Sequence, residues 1–86
     1  MDYDHEIKIA TKFYNAVVSD AKQFEIRRDD RGYRCGDVVM LREFDSGTHP
    51  DAGYTGRQTA VRIKYITDYA QQPGFVVFGF KRLGRR

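Results

Sequence analysis

Lys22, Glu25 and Arg27 are the side chains whose types and spacing most suggest chemistry. On an extended strand Glu25 and Arg27, two apart, emerge side by side on one face, whereas Lys22 falls on the opposite parity. Lys22 joins them only from a junction that precedes the pleat. A carboxylate between two cations is either a solvated ion pair contributing roughly 0 to 1 kcal/mol or the charged lining of a cleft, and spacing alone leaves both open. If the cleft were catalytic, Lys22 would act as base or electrophile and Glu25 as general acid or base. Catalysis is the alternative here, and binding is the expectation.

The remaining reactive groups are sparse. Cys35 is the only cysteine, so neither an internal disulfide nor a thiolate zinc cluster can form. Beside Gly36 it reads as a small structural residue. His5 and His49 show no ligand spacing, and no metal or cofactor is expected. Asp29 and Asp30 precede Arg-Gly, the setting of an Asx-turn; that reading takes Asp29 and leaves Asp30 open.

The elements that must hold these groups follow from periodicity. His5-Glu-Ile-Lys-Ile9 alternates as a short strand. Phe13, Ala16 and Val17, widened by Tyr14 and Val18, make a helical stripe that Thr11 can cap, ending near Ser19 and Asp20. Residues 23–28 form the second strand, with Phe24 and Ile26 turned to the core and Glu25 and Arg27 away from it. Residues 37–44 form a third, and 45–56 a long connection rich in turn residues. In 59–66, Val61, Ile63 and Tyr65 oppose Arg62 and Lys64. The last strand, 75–83, is nearly all apolar, and Gly79 inside it signals a bend or bulge. Five strands and one early helix, with no room for helical crossovers between parallel strands, predict a mainly β fold, a small and mostly antiparallel pseudo-barrel. Residues 1–83 read as one domain and 84–86 as a basic tail.

The chain has 86 residues, 41% apolar and 31% charged, a composition that folds rather than stays disordered. Residues 1–20 carry two Lys against three Asp and one Glu, while 21–34 carry five basic residues against three acidic, and 81–86 add four more basic residues. Such clustering suits a polyanionic partner, although a solvated basic surface has the same composition. A basic leader and an apolar run of membrane-spanning length are both missing from the sequence, so a cytoplasmic protein without membrane contact is expected.

Asp20-Ala-Lys22-Gln-Phe-Glu25-Ile-Arg27 resembles the Gly-x-Lys-x-x-Glu-x-Arg signature of the ASCH domain, a small barrel of the PUA-like superfamily, with Asp20 in place of the glycine. The chain is also similar to short uncharacterised bacterial and phage ASCH-like proteins. It shares with them His5-Glu6-Ile7-Lys8, Phe24 to Arg27, Asp30-Arg31, Gly36-Asp37 and Tyr54-Thr55-Gly56-Arg57, in that order. The resemblance implies a PUA-like (ASCH) pseudo-barrel with a cleft between the first helix and the following strand.

It further implies binding of RNA, single-stranded nucleic acid or a modified nucleotide, with His5, Lys8, Lys22, Glu25, Arg27, Asp30, Arg31 and Arg57 as ligand-binding positions. Lys22, Arg27 and Lys8 would donate to phosphate or base carbonyls, and Glu25 would accept from an amine or orient Arg27. Tyr33 or Tyr54 could stack on a base or simply pack. Some ASCH-like proteins are amidohydrolases of acylated cytidines that carry Thr where this chain has Glu25, and that use an acidic residue from a helical insertion with no counterpart between Ile66 and Gly74. An amidohydrolase or nuclease-like activity is therefore the alternative to a binding module, and a monomer is the expected state.

Overall fold

The computed structural model describes residues 2–84, so the final two arginines of the expected basic tail lie outside the described residues. Along the chain come β1 (His5–Ala10), α1 (Thr11–Val18), β2 (Phe24–Arg28), β3 (Val38–Asp45), β4 (Gly53–Thr67) and β5 (Phe75–Arg82). The strands form one sheet in the order β1-β3-β4-β5-β2, curled into a half-barrel. The mainly β fold with one early helix is as expected. One pairing is not: β1 runs parallel to β3, with His5 opposite Val39 and Ala10 opposite Phe44. The intervening chain makes the crossover with a single short helix, which lies over β1 and β3.

The concave side holds the core. Ile7 and Ile9, Val39 and Leu41, Val61 and Ile63, and Val76, Phe78 and Phe80 alternate inward, and Tyr14, Val17 and Tyr33 close over them. Burial of each large aliphatic side chain is worth about 1.5 to 3 kcal/mol relative to exposure. A smaller group, Val38, Met40 and Ala60 with Leu83, packs on the convex side. The helix meets the core through Tyr14 and Val17, while Phe13, expected in the stripe, is exposed. Thr11 does not cap the helix; Ala10 is the N-cap residue, and its methyl group offers no side-chain bond.

Two irregularities in β4 shape the sheet. Arg42 pairs with Gln58 and Phe44 with Tyr54, so Thr55, Gly56 and Arg57 together face Glu43. Gly56, at φ +93, supplies the backbone conformation this needs. Farther along, Ile63 pairs with Phe80 and Tyr65 with Gly79, leaving Lys64 as the extra residue beside the expected Gly79 irregularity. That slip moves Tyr65 off the core face and into solvent. Because β4 starts at Gly53, the expected 45–56 connection shortens to 46–52. Cys35 is an exposed thiol rather than a packed residue.

The largest correction concerns β2. Phe24 and Ile26, expected in the core, are 44% and 52% exposed, whereas Glu25 is 4% exposed. Glu25 pairs with Phe78 and Arg27 with Val76, both core residues, so the strand turns its charged residues inward and its apolar ones out. The pleat is inverted relative to the amphipathic rule because β2 is an edge strand whose inward positions meet other charges.

Candidate functional site

β1 and β2 are the two edges of the sheet, and the curl brings them together at a seam. Arg27 bridges it: Nη2 donates to the Lys8 carbonyl at 2.9 Å, while Nε donates to Glu25 Oε1 at 2.9 Å. The other carboxylate oxygen, Oε2, accepts from Lys22 Nζ, which also donates to the Phe24 carbonyl at 2.6 Å. Glu25 is thus satisfied on both oxygens, so it orients Lys22 and Arg27 instead of presenting a free acceptor. Two edge carbonyls are capped by cationic side chains, which protects the sheet ends from pairing with another strand.

Lys22 gets there as its parity required, from the junction ahead of β2. The helix ends with Asp20 N–H donating to Val17 O and Lys22 N–H to Ala16 O, both at 3.0 Å. Asp20 takes φ +65, a left-handed conformation that glycine adopts most easily and Asp tolerates. The residue standing in for glycine therefore keeps the turn. Asp20 is also bonded to Arg82.

Two hollows flank the seam, each lined by one member of the Glu25–Arg27 pair. The first, of about 220 Å³, is lined by Ile7, Lys8, Arg27, Arg28, Asp30, Arg31 and Tyr33. The second, of about 230 Å³, is lined by Phe13, Lys22, Phe24, Glu25 and Ile26, with the Lys22 ammonium 5.5 Å from the Phe13 ring centroid and 5.0 Å from that of Phe24. The first is cationic and the second apolar with one ammonium. A larger hollow, of about 350 Å³, lies by Asp20, Gln23, Phe80, Lys81 and Arg82. Its Arg82 is already bonded to Asp20 and the Val18 carbonyl, which makes it the weaker candidate despite its size.

Four of the eight expected residues, Lys8, Arg27, Asp30 and Arg31, meet at the first hollow, and Lys22 and Glu25 meet at the second. The other two lie elsewhere. His5 Nε2 sits 2.8 Å from Asp37 Oδ2, and its ring meets Tyr33 edge-on at 4.8 Å. It ties β1 to the entrance of β3. Arg57 is held by Glu43, through Nε to Oε1 at 2.7 Å and Nη2 to Oε2 at 3.0 Å, and by Asn15 at 3.0 Å. Thr55 completes the clamp at 2.7 Å. These donors hold the Glu43 carboxyl at about 2, well below its ordinary 4.5.

Sequence reasoning passed over three participants. Arg28, which is not among the expected binding positions, lines the cationic hollow, and Phe13, expected in the helical stripe, walls the other. Glu43 shares inward parity with Val39 and Leu41, which is visible in the sequence, whereas Gly56 falls in the stretch expected as a connection, so the bulge that reaches Glu43 emerges only from the strand register. Tyr33 is buried, and burial pushes its hydroxyl up from the ordinary value; Tyr54 is half exposed. Among the described residues no helix is long and apolar enough to cross a membrane.

A family model described as a domain of unknown function, DUF3850, matches residues 4–80. An uncharacterised 12.9 kDa protein in the GpA 3′ region of Escherichia phage P2 is 36% identical over 64 residues, which are 74% of this chain and 54% of the phage protein. The chain thus spans about half the length of that curated relative.

Proposed function

The chain belongs to the DUF3850 family, and from the seam geometry we propose that it is a nucleic-acid-binding module, taking RNA or a modified nucleotide between β1 and β2. One observation carries this reading: Lys8, Arg27, Arg28 and Arg31 all line one hollow together with Asp30, the Arg28 guanidinium resting 4.8 Å from the Phe75 ring centroid. A surplus of guanidinium donors suits a phosphate, which accepts at several oxygens and pairs with Arg in a forked geometry. Arg31 meets Asp30 only at 3.8 Å, so its donors remain available. The neighbouring hollow offers Phe13 and Phe24 as apolar walls for a base. Glu25 and Lys22 neutralise each other, which favours binding over hydrolysis of acylated cytidines. In this reading the chain is an ASCH-like member of the PUA-like superfamily working in the cytoplasm.

Titration of fluorescent single-stranded RNA at two salt concentrations tests the proposal. Affinity falls with salt by about 0.7 log units per neutralised phosphate for each log unit of salt. The Arg28→Ala, Arg31→Ala double variant binds about tenfold or more weakly and has a shallower salt slope. No binding by the parent protein, or binding indifferent to both arginines, overturns it.

A further inference from the structure

The convex face beside the seam bears on the form of the ligand, an inference that rests on the nucleotide-binding reading. Lys8 lies opposite Arg42, and Phe44 opposite Tyr54, on three neighbouring strands. The Lys8 ammonium stands 4.3 Å from the Phe44 ring centroid. Phe44 and Tyr54 meet edge to face at 5.1 Å, and the Arg42 guanidinium lies 4.1 Å from the Tyr54 centroid. Two cations and two rings thus form one cluster, with Lys8 on β1, Arg42 and Phe44 on β3, and Tyr54 on β4. Strands lie about 4.8 Å apart, so the path from Lys8 to Tyr54 covers roughly 10 Å. Lys8 belongs to both places: it lines the cationic hollow and begins this path.

Cross-strand packing accounts for the Phe44–Tyr54 pair, but it does not require Tyr54 to stay 50% exposed under a guanidinium. Tyr65 and Tyr69 are more exposed still, yet among the described residues no cation stacks on either ring. An aromatic ring with a guanidinium beside it is the surface on which an unstacked base settles. Glu6 holds Arg42, accepting from Nη1 at 2.9 Å, so the platform is preorganised.

We infer that the ligand is a single-stranded polynucleotide rather than a mononucleotide. One unit's phosphate occupies the seam hollow, and the chain continues over Lys8 so that a neighbouring base stacks at Tyr54 and Arg42. A mononucleotide seated in the hollow has no second base to place there, and a duplex keeps its bases stacked internally.

Fluorescence anisotropy with a labelled uridine mononucleotide and a labelled uridine octanucleotide tests this. The octanucleotide binds the parent protein about tenfold or more tightly. Tyr54→Ala removes most of that gain and leaves the mononucleotide unchanged, while Tyr54→Phe retains it. Arg42→Gln lowers the gain as well, and serves if thermal melting shows Tyr54→Ala unfolded. Equal affinity for both lengths, with Arg31→Ala still weakening both, overturns the polymer inference and leaves the hollow's role standing. A length gain that survives both Tyr54→Ala and Arg42→Gln also overturns it. Failure of both lengths to bind overturns the nucleotide reading and this inference with it.

Discussion

Glu25 and Glu43 are both withdrawn from solvent, at 4% and 2% exposure, and each is bonded to an arginine. Glu43 sits within the sheet, on the core parity of β3, and a bulge in β4 delivers Thr55 and Arg57 to it. Its clamp joins β3, β4 and α1, and Arg57 also lies 4.9 Å from the Tyr14 ring centroid. Glu25 lies on an edge strand, and one of its two cations, Arg27, reaches across an open seam where two hollows begin. The chemistry of the two pairs is nearly the same. What separates a structural lock from a candidate site is the space beside it: Glu43 holds elements together, while Glu25 aims donors at a place a ligand can occupy.

Of the two glutamate pairs, breaking the one at the seam has the larger expected effect. Glu25→Ala leaves Lys22 and Arg27 facing each other without a counter-charge and removes the group that aims Arg27 at the Lys8 carbonyl. Orphaning one side of a buried pair costs about 3 to 5 kcal/mol, and the partial exposure of both cations places this variant at about 3 kcal/mol. Urea denaturation measures it. A cost under about 1 kcal/mol would make the pair an ordinary surface ion pair and dissolve the contrast with Glu43. RNA affinity should fall in Glu25→Ala and hold in Glu43→Gln, since only the first carboxylate serves the hollows.

The Glu43 clamp shows itself instead in pH dependence. Its folded-state value of about 2 lies below the ordinary 4.5, so its contribution is complete above the ordinary value and is lost as pH falls toward about 2. Glu6 and Asp45 are also lowered, Glu6 chiefly by the Tyr3 hydroxyl and Asp45 chiefly by the Gly47 amide, and they share this acid window. Urea midpoints measured from pH 7 downward should therefore decline for the parent protein. They should decline less for Glu43→Gln, whose amide does not titrate. A variant curve parallel to the parent's would remove Glu43 from the acid response.

Most elements were legible because their periodicity is local: β1, β3, β5 and α1 begin and end close to where the pattern changes. The parallel β1–β3 pairing was not legible, since it depends on how the crossover returns rather than on any stretch of residues. Nor were the outward turns of Phe13, Phe24 and Ile26, which periodicity reads as buried. A period-2 pattern says that two faces differ, and the usual assignment of apolar side chains to the core fails where a charged cluster occupies the inner face. The Lys22, Glu25 and Arg27 grouping was legible from types and spacing, and Lys22's position from parity. The separation of Arg57 from that grouping was not, because the bulge that directs it to Glu43 arises from a two-strand register.

The smallest expected effect is the sharpest probe of this inversion. Ile26 is half exposed on β2, and Ile63 is fully buried on β4. Truncating a core isoleucine to alanine costs about 2 to 5 kcal/mol, and Ile63→Ala should fall in that range. Ile26→Ala removes the same atoms from a water-facing position, so it should cost less than about 1 kcal/mol, most of it lost strand preference. Both variants have the same chemical change in the same domain, so the difference between their urea midpoints reports burial directly. If Ile26→Ala proved as costly as Ile63→Ala, the pleat of β2 would run the other way: Glu25 and Arg27 would face water, Arg27 would lose its line to the Lys8 carbonyl, and the seam would no longer be a site.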